Sequence, residues 1–290
     1  SKTSLMGLFG ENSNVEGCTT TNACYGGTAG LLNSIAWVES SEWDGRYALL
    51  VAADIAAYDK GPARPTGGVG AVAALIGPGA PLSLMPRTRH THAMDVYDFY
   101  KPHTHNEYPA VDGKLSQACY LEAVDACYRG TMSKLEAAVG HPLERVTDAF
   151  DYMCFHSPYH KLVQQSFARI AYLDMLRAVE AGRPVPAQLQ GLADWANSAE
   201  ADTYFDRALD KAARDASATD FAALVGPSTH YSCNIGNSYT AAIFANILSL
   251  VDAKGAELDG STIGAFSYGS GAIATMYAMQ GREECEAAEE

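Results

Sequence analysis

Positive charge is in short supply in this 290-residue sequence. Its 20 lysines and arginines stand against 34 aspartates and glutamates, a formal net charge of −14. That balance argues against nucleic acid as a main partner, because a phosphate backbone would be repelled over most of the surface. An anionic small molecule remains open, provided that it meets a local group of lysines and arginines. No apolar run reaches the roughly 18 residues of a membrane helix, so no membrane span is expected, and nothing at the start reads as a leader peptide. The chain opens on Ser1 rather than methionine, which suggests a piece of a longer protein. Seven cysteines (Cys18, Cys24, Cys119, Cys127, Cys154, Cys233, Cys285) form an odd set without a C-x-x-C pair. They suit neither a disulfide framework nor a zinc site, so no metal is expected, and they fit a reducing compartment. Cytoplasmic placement follows as the expectation, with an organellar form as the alternative. Short repeats are missing, and the only long like-sign run is the acidic end "REECEAAEE", which reads as a solvated tail.

What is present is apolar: 48% of residues are hydrophobic and 19% charged, enough to bury a substantial core. The length suits one large domain or two smaller ones. "RYALLVAADI" and "GGVGAVAALIG" are nearly continuous apolar runs bounded by turn residues, which predicts strands covered on both faces. "TAGLLNSIAWVES" carries helical spacing through Leu31, Leu32, Ile35 and Val38. "FDYMCFH" reads as a buried strand, and "SPYHKLVQQSFARIAYLDMLRAV" as a helix with Pro158 in its first turn. "DTYFDRALDKAARDAS" and "SYTAAIFANILSLVDA" are helical, and "STIGAFSYGSG" and "AIATMYAM" resemble two strands joined by a glycine turn. The segment 180–201 shows no clear period and reads as a long loop or insertion. The fold class is α/β, with sheets layered between helices. Histidines gather at His90, His92, His103 and His105, where surface positions are favoured over metal ligation because no cysteine or carboxylate completes a ligand set.

The chemistry concentrates at element boundaries. "TTTNACYGGT" puts Cys24 just before a helix, where backbone N–H groups and the helix dipole would stabilise a thiolate. Gly26 and Gly27 would let a flat acyl group approach, and their N–H groups could hold an oxyanion. An ordinary buried cysteine is the equal alternative. His156 ends a strand directly before a proline-started helix, as a base or as a hydrogen-bonded core histidine. Asn237 sits at a glycine-flanked turn, as an amide donor or a plain helix cap. "SYGSG" is a glycine turn that simply joins two strands or closes a site. The order of these four elements is much harder to obtain by accident than any one of them.

That order is similar to the thiolase superfamily. "TTNACYGGTAG", "WDGRYALLVAADIAAY", "ARPTGGVGAVAALIGP", "YDFYKP", "EYPAVDGKLS", "FHSPYHKLVQQSFAR", "GNSYTAA" and "FSYGSG" together closely resemble the eukaryotic-type 3-hydroxy-3-methylglutaryl-CoA (HMG-CoA) synthase family. The resemblance covers nearly the whole chain and is weakest at 180–200. It implies a thiolase-like layered αβαβα fold of two similar halves, incomplete at both ends. The first half would span residues 1–85 and carry the cysteine, and the second 86–290, with the histidine and asparagine motifs.

The implied reaction condenses acetyl-CoA with acetoacetyl-CoA through an acetyl-Cys24 intermediate and releases HMG-CoA, a precursor in the mevalonate and isoprenoid pathway. No cofactor is implied, since the coenzyme A thioesters are substrates. By resemblance, His156 positions acetoacetyl-CoA, while Thr66, Ser116, Asn237 and Ser270 match substrate contacts. Lys161 matches a coenzyme A contact, and Asp54 and Asp98 match supporting aspartates. The resemblance also implies a homodimer. Pro62 and Gln165 depart from the family's usual asparagine and lysine. The family's general acid/base glutamate lies further upstream of the cysteine than this chain extends, and neither Glu11 nor Glu16 sits in its motif. The chain also stops soon after "FSYGSG". An inactive piece is therefore the expectation for the chain alone. The alternatives are another thiolase-fold condensing enzyme, ketoacyl synthase III-like or a polyketide β-branching synthase, and a non-catalytic acyl-CoA-binding fragment.

Overall fold

The computed structural model describes residues 2–103 and 105–282; the acidic tail from residue 283, with Cys285, lies outside them. Helix α1 (Gly26–Val38) starts two residues after Cys24 and leads into an antiparallel pair, β1 (Ala48–Ile55) and β2 (Val69–Ile76). Short strands β3 (Leu82–Leu84), β4 (His90–Ala93), β5 (Phe99–Tyr100) and β6 (Ala110–Val111) precede the long helix α2 (Gly113–Val139). After them come α3 (Val146–Ala149), β7 (Tyr152–Phe155), α4 (His160–Glu180), α5 (Glu200–Thr203) and α6 (Arg207–Asp220). The chain closes with α7 (His230–Ile235), α8 (Ala242–Lys254), β8 (Thr262–Gly269) and β9 (Ile273–Gly281).

The larger sheet runs β3-β9-β8-β7, with β4 also on β9; β7 and β8 are parallel and the other pairs antiparallel. Helices α1 and α8 lie between the two sheets. Leu31, Leu50, Phe244, Ile263 and Tyr277 share one core there. On the other face of the larger sheet, α2 and α4 bury Tyr120, Val124, Val163 and Phe167 against Phe155, Phe266 and Met276. A further layer, α6 with a 3-10 segment at Ala187–Trp195, covers α4. The order is sheet, helices, sheet, helices, and it brings the ends of at least six elements to one place.

Three expectations need correction. β1 and β2 are covered on one face only: Leu49, Val51, Ile55, Val69 and Leu75 are exposed, Ile55 at 68%. Their continuous apolarity records two apolar faces, of which α1 and α8 cover one. The segment 180–201 is a loop only in part. It holds the 3-10 turns of Ala187–Trp195, which bury Leu189 and Leu192. Its apolar positions recur every three residues, the 3-10 period, so a search at 3.6 passes over them. "DTYFDRALDKAARDAS" is two helices, because the Asp206 side chain caps the N-terminus of α6 by accepting from the N–H groups of Ala208 and Leu209.

Helix α2 has no counterpart among the predicted elements. Its buried face is made of Cys119, Tyr120, Ala123, Asp125, Cys127 and Thr131 as much as of aliphatic residues, which flattens the apolar period. His90 and His92 stand on β4, and the rings of His103 and His105 stack at 5.5 Å. Among the described residues, no group of three or more metal-ligating side chains converges.

Candidate active site

The cysteine turn is held from three sides. Ala23 adopts φ +44°, a left-handed conformation that costs a residue with a Cβ about 1 kcal/mol. The surrounding contacts maintain it. The Tyr25 hydroxyl meets Thr275 Oγ1 at 2.6 Å, and Thr28 Oγ1 donates to Ser267 Oγ at 2.7 Å, both in the interior. At Gly269 the two backbones approach so closely that a Cβ there would lie 2.7 Å from Tyr25 N and 2.9 Å from Asn22 O. "SYGSG" therefore abuts the cysteine turn, and only glycine fits at the junction.

Cys24 itself is partly buried, and burial pushes its thiol pKa up, with the charges of Asp54 and Asp98 adding to the rise. The expected thiolate stabilisation by the helix start does not prevail. Desolvation outweighs it, and the resting group is a neutral thiol. The expected role of the two glycines changes as well. Gly27 N–H donates to Thr240 Oγ1 and Gly26 N–H to Ala23 O, so neither is free for an oxyanion. A Cβ on Gly27 would meet Phe244 at 2.6 Å and Thr240 O at 2.7 Å. The glycine serves the close approach of α1 to the start of α8.

Cys24 opens into a cavity of about 430 Å³ that is also lined by Thr66, Ser116, His156, Asn237 and Ser270. Each reaches it from a different element end. His156 follows β7 and is held by backbone bonds, its N–H to Phe266 O at 2.7 Å and its carbonyl accepting from Tyr120 OH at 2.6 Å. Its Nδ1 has no hydrogen-bond partner, and burial alone pushes the imidazole down to about 3, so the ring is neutral. Asn237 N–H donates to Thr66 O at 2.8 Å, which ties two lining segments together. The Asn237 side chain donates through Nδ2 to Tyr58 OH at 3.0 Å and accepts from Tyr239 N–H at 2.9 Å. Its side chain thus bridges Tyr58 and the start of the 3-10 segment Tyr239–Ala241, whose N-cap is Ser238. Ser116 sits in the first turn of α2, where Asp112 caps the helix.

Other expected residues stay off the wall. Asp98, fully buried, accepts from Gly271 N–H at 3.0 Å and from Tyr268 OH at 3.4 Å, and so fixes the turn that carries Ser270. Asp54 lies behind the site on β1, its carboxyl pKa raised by burial. Lys161 is exposed in the first turn of α4, next to lining residue Leu162. Pro62 lines the cavity, whereas Gln165 faces a separate small cleft beside Arg169 and Tyr204. Glu16 pairs with Arg46 at the surface, and neither it nor Glu11 lines the cavity. No aspartate or glutamate is among the lining residues.

Sequence reasoning passed over the aromatic wall. Tyr58, Phe99 and Tyr239 form an edge-to-face triangle with centroids 5.9–6.2 Å apart, and Tyr120 and Tyr268 pack at 4.9 Å. All five line the cavity with Tyr159. The available signal was an aromatic in seven of the eight quoted motifs.

Two family models match the chain end to end: Hydroxymethylglutaryl-coenzyme A synthase N terminal over residues 1–81, and its C-terminal counterpart over 82–289. The chain belongs to the hydroxymethylglutaryl-CoA synthase family. It is 48% identical over 285 residues to the human cytoplasmic hydroxymethylglutaryl-CoA synthase, which covers 96% of this chain and 54% of the relative. Hydroxymethylglutaryl-CoA synthase A of Dictyostelium discoideum is 45% identical over 281 residues, 96% of this chain and 57% of the relative. The chain thus spans little more than half the length of the curated relatives it matches. Among solved structures, MvaS in complex with 3-hydroxy-3-methylglutaryl coenzyme A superposes with a TM-score of 0.78 at 30% identity, over 97% of this chain and 63% of that one. PksG, an HMG-CoA synthase from Bacillus subtilis, gives 0.71 at 25% identity, over 96% and 58%. The layered α/β arrangement is the thiolase-type fold of these HMG synthases.

Proposed function

We propose that this chain supplies the acyl-transfer centre of an HMG-CoA synthase, with Cys24 as the residue acylated by acetyl-CoA. The observation that carries the reading is one cavity in which Cys24, His156, Asn237 and Ser270 converge from four separated segments. The Cys24 thiol gives up its proton as Sγ bonds to the acetyl carbonyl carbon, and the C–S bond to coenzyme A breaks to release a thiolate that takes that proton up; a cysteine serves because the thioester it forms remains a good acyl donor. His156, neutral and unpartnered at Nδ1, offers a hydrogen-bonding nitrogen to the second substrate, acetoacetyl-CoA. The aromatic wall excludes water around the acyl groups. Lys161, exposed beside the mouth, suits the coenzyme A phosphates in an otherwise acidic molecule. No cofactor enters this scheme, and a homodimer and a cytoplasmic setting belong to the same reading. Among the described residues, no helix is long and apolar enough to cross a membrane.

The condensation needs a base to take a proton from the acetyl methyl, and such a group contributes roughly 10²–10⁴-fold. The lining residues include no carboxylate for that role. The reading therefore separates two steps. Mixed with acetyl-CoA and acetoacetyl-CoA, the chain should release about one equivalent of coenzyme A and form no HMG-CoA. Sustained turnover would show that a residue of this chain, Glu11 or Glu16 first, supplies the acid. Acylation by acetyl-carrier protein in place of acetyl-CoA would shift the reading to a polyketide β-branching synthase.

A further inference from the structure

A second thiol sits outside the cavity with its own imidazole. Cys233, exposed on α7, lies with Sγ 3.2 Å from Nδ1 of His160, the first residue of α4. The His160 ring is held edge-on against Phe221, centroids 6.0 Å apart, which fixes Nδ1 toward the sulfur. Partial burial of the imidazole lowers its proton affinity, and in the tautomer that leaves Nδ1 unprotonated this nitrogen accepts from the thiol. A thiol, an adjacent base and a third group that orients the base form the arrangement that activates a nucleophile. Among the described residues outside the cavity, the other cysteines lack this setting. Cys18 is exposed but has only the Asn33 amide, at 4.0 Å, and Cys119, Cys127 and Cys154 are buried.

The position also couples to the cavity. His160 is flanked by Tyr159 and Leu162, which line it, and Cys233 precedes Asn237, which lines it too, by four residues. The segment between is wedged: a Cβ on Gly68 would lie 2.2 Å from Ile235 O, and one on Gly236 2.9 Å from Thr66 O. A bulky group on Cys233 lies within reach of both the first turn of α4 and this segment.

We infer that Cys233 and His160 form a thiol-exchange site that takes up half of a small-molecule disulfide, and that the adduct closes the neighbouring cavity to acyl-CoA. In the exchange, His160 Nδ1 takes the Sγ proton and Sγ bonds to one sulfur of the disulfide. The S–S bond breaks, and the departing thiolate recovers the proton from the imidazolium. Cys233 ends oxidised in a mixed disulfide and the departing half ends reduced as a free thiol, so no further oxidant is needed.

The test uses glutathione disulfide as the probe at pH 7, followed by digestion and mass spectrometry. Cys233 should acquire glutathione at least about tenfold faster than Cys18, and His160→Phe should remove that advantage while leaving Cys18 unchanged. Equal rates at Cys18 and Cys233, or no effect of His160→Phe, would overturn the dyad. The adduct readout does not depend on the acyl-transfer reading. For the coupling, acetyl-CoA labelling of Cys24 should fall in the glutathionylated chain, recover with dithiothreitol, and become insensitive in Cys233→Ser. Undiminished labelling with Cys233 fully modified would overturn the closure.

Discussion

At the scale of single residues, burial decides the charge states at the site. Cys24 and His156 are both held neutral by desolvation, the thiol pKa pushed up and the imidazole pushed down to about 3. For His156 this has a consequence for stability. An unfolded chain takes up the imidazole proton near pH 6.5 while the folded chain does not, so the unfolded state binds more protons between pH 6.5 and about 3. This contribution is complete above pH 6.5 and is lost as pH falls through the window. At pH 4.5 it amounts to ~2–3 kcal/mol less stability than at pH 7. Denaturant titrations of the wild type and His156→Asn at both pH values should show the gap between them narrowing by about that amount on acidification. Parallel pH profiles would mean that the histidine titrates normally. None of this was legible in the letters, since burial of a strand-end histidine depends on what α2 and β8 lay over it. Nor could sequence show that Thr240 occupies the Gly27 N–H, or that Asp54 and Lys161 stand off the cavity wall.

At the scale of elements, the helices that carry a regular apolar period were readable and those that do not were lost. α1, α4 and α8 present aliphatic residues at 3.6-residue spacing. α2 uses cysteine, tyrosine and threonine on its buried face, and the turns at Ala187–Trp195 repeat every three residues. The four site motifs were legible because turn residues mark the boundaries at which they sit, glycines at three of them and Pro158 just after His156. Gly27 shows what such a glycine does here. Gly27→Ala places a methyl into Phe244 and the Thr240 carbonyl, and α1 has to move away from α8. Overpacking of this kind costs typically 1–3 kcal/mol, and the upper end is expected because one of the obstructing atoms is backbone. Thermal unfolding should register a clear drop in midpoint, together with slower alkylation of Cys24 as its turn shifts. An unchanged midpoint would contradict the tight α1–α8 contact.

At the scale of the whole molecule, the layers gather four distant segments around one cavity, with an apolar sheet face left open on β1 and β2. The order of motifs along the chain, and the α/β class, carried over from sequence to structure. The exposure of one sheet face did not, because a continuous apolar run fits either one cover or two. The central claim is that this architecture makes Cys24, rather than any other thiol, the acyl acceptor. Its most direct test is incubation of the chain with acetyl-CoA, followed by digestion and mass spectrometry of every cysteine-containing peptide. The account predicts a single acetyl group on Cys24 and none on Cys119 or Cys154. Acetylation at either of those or at exposed Cys18 or Cys233 in a folded chain, with Cys24 unmodified, would contradict it.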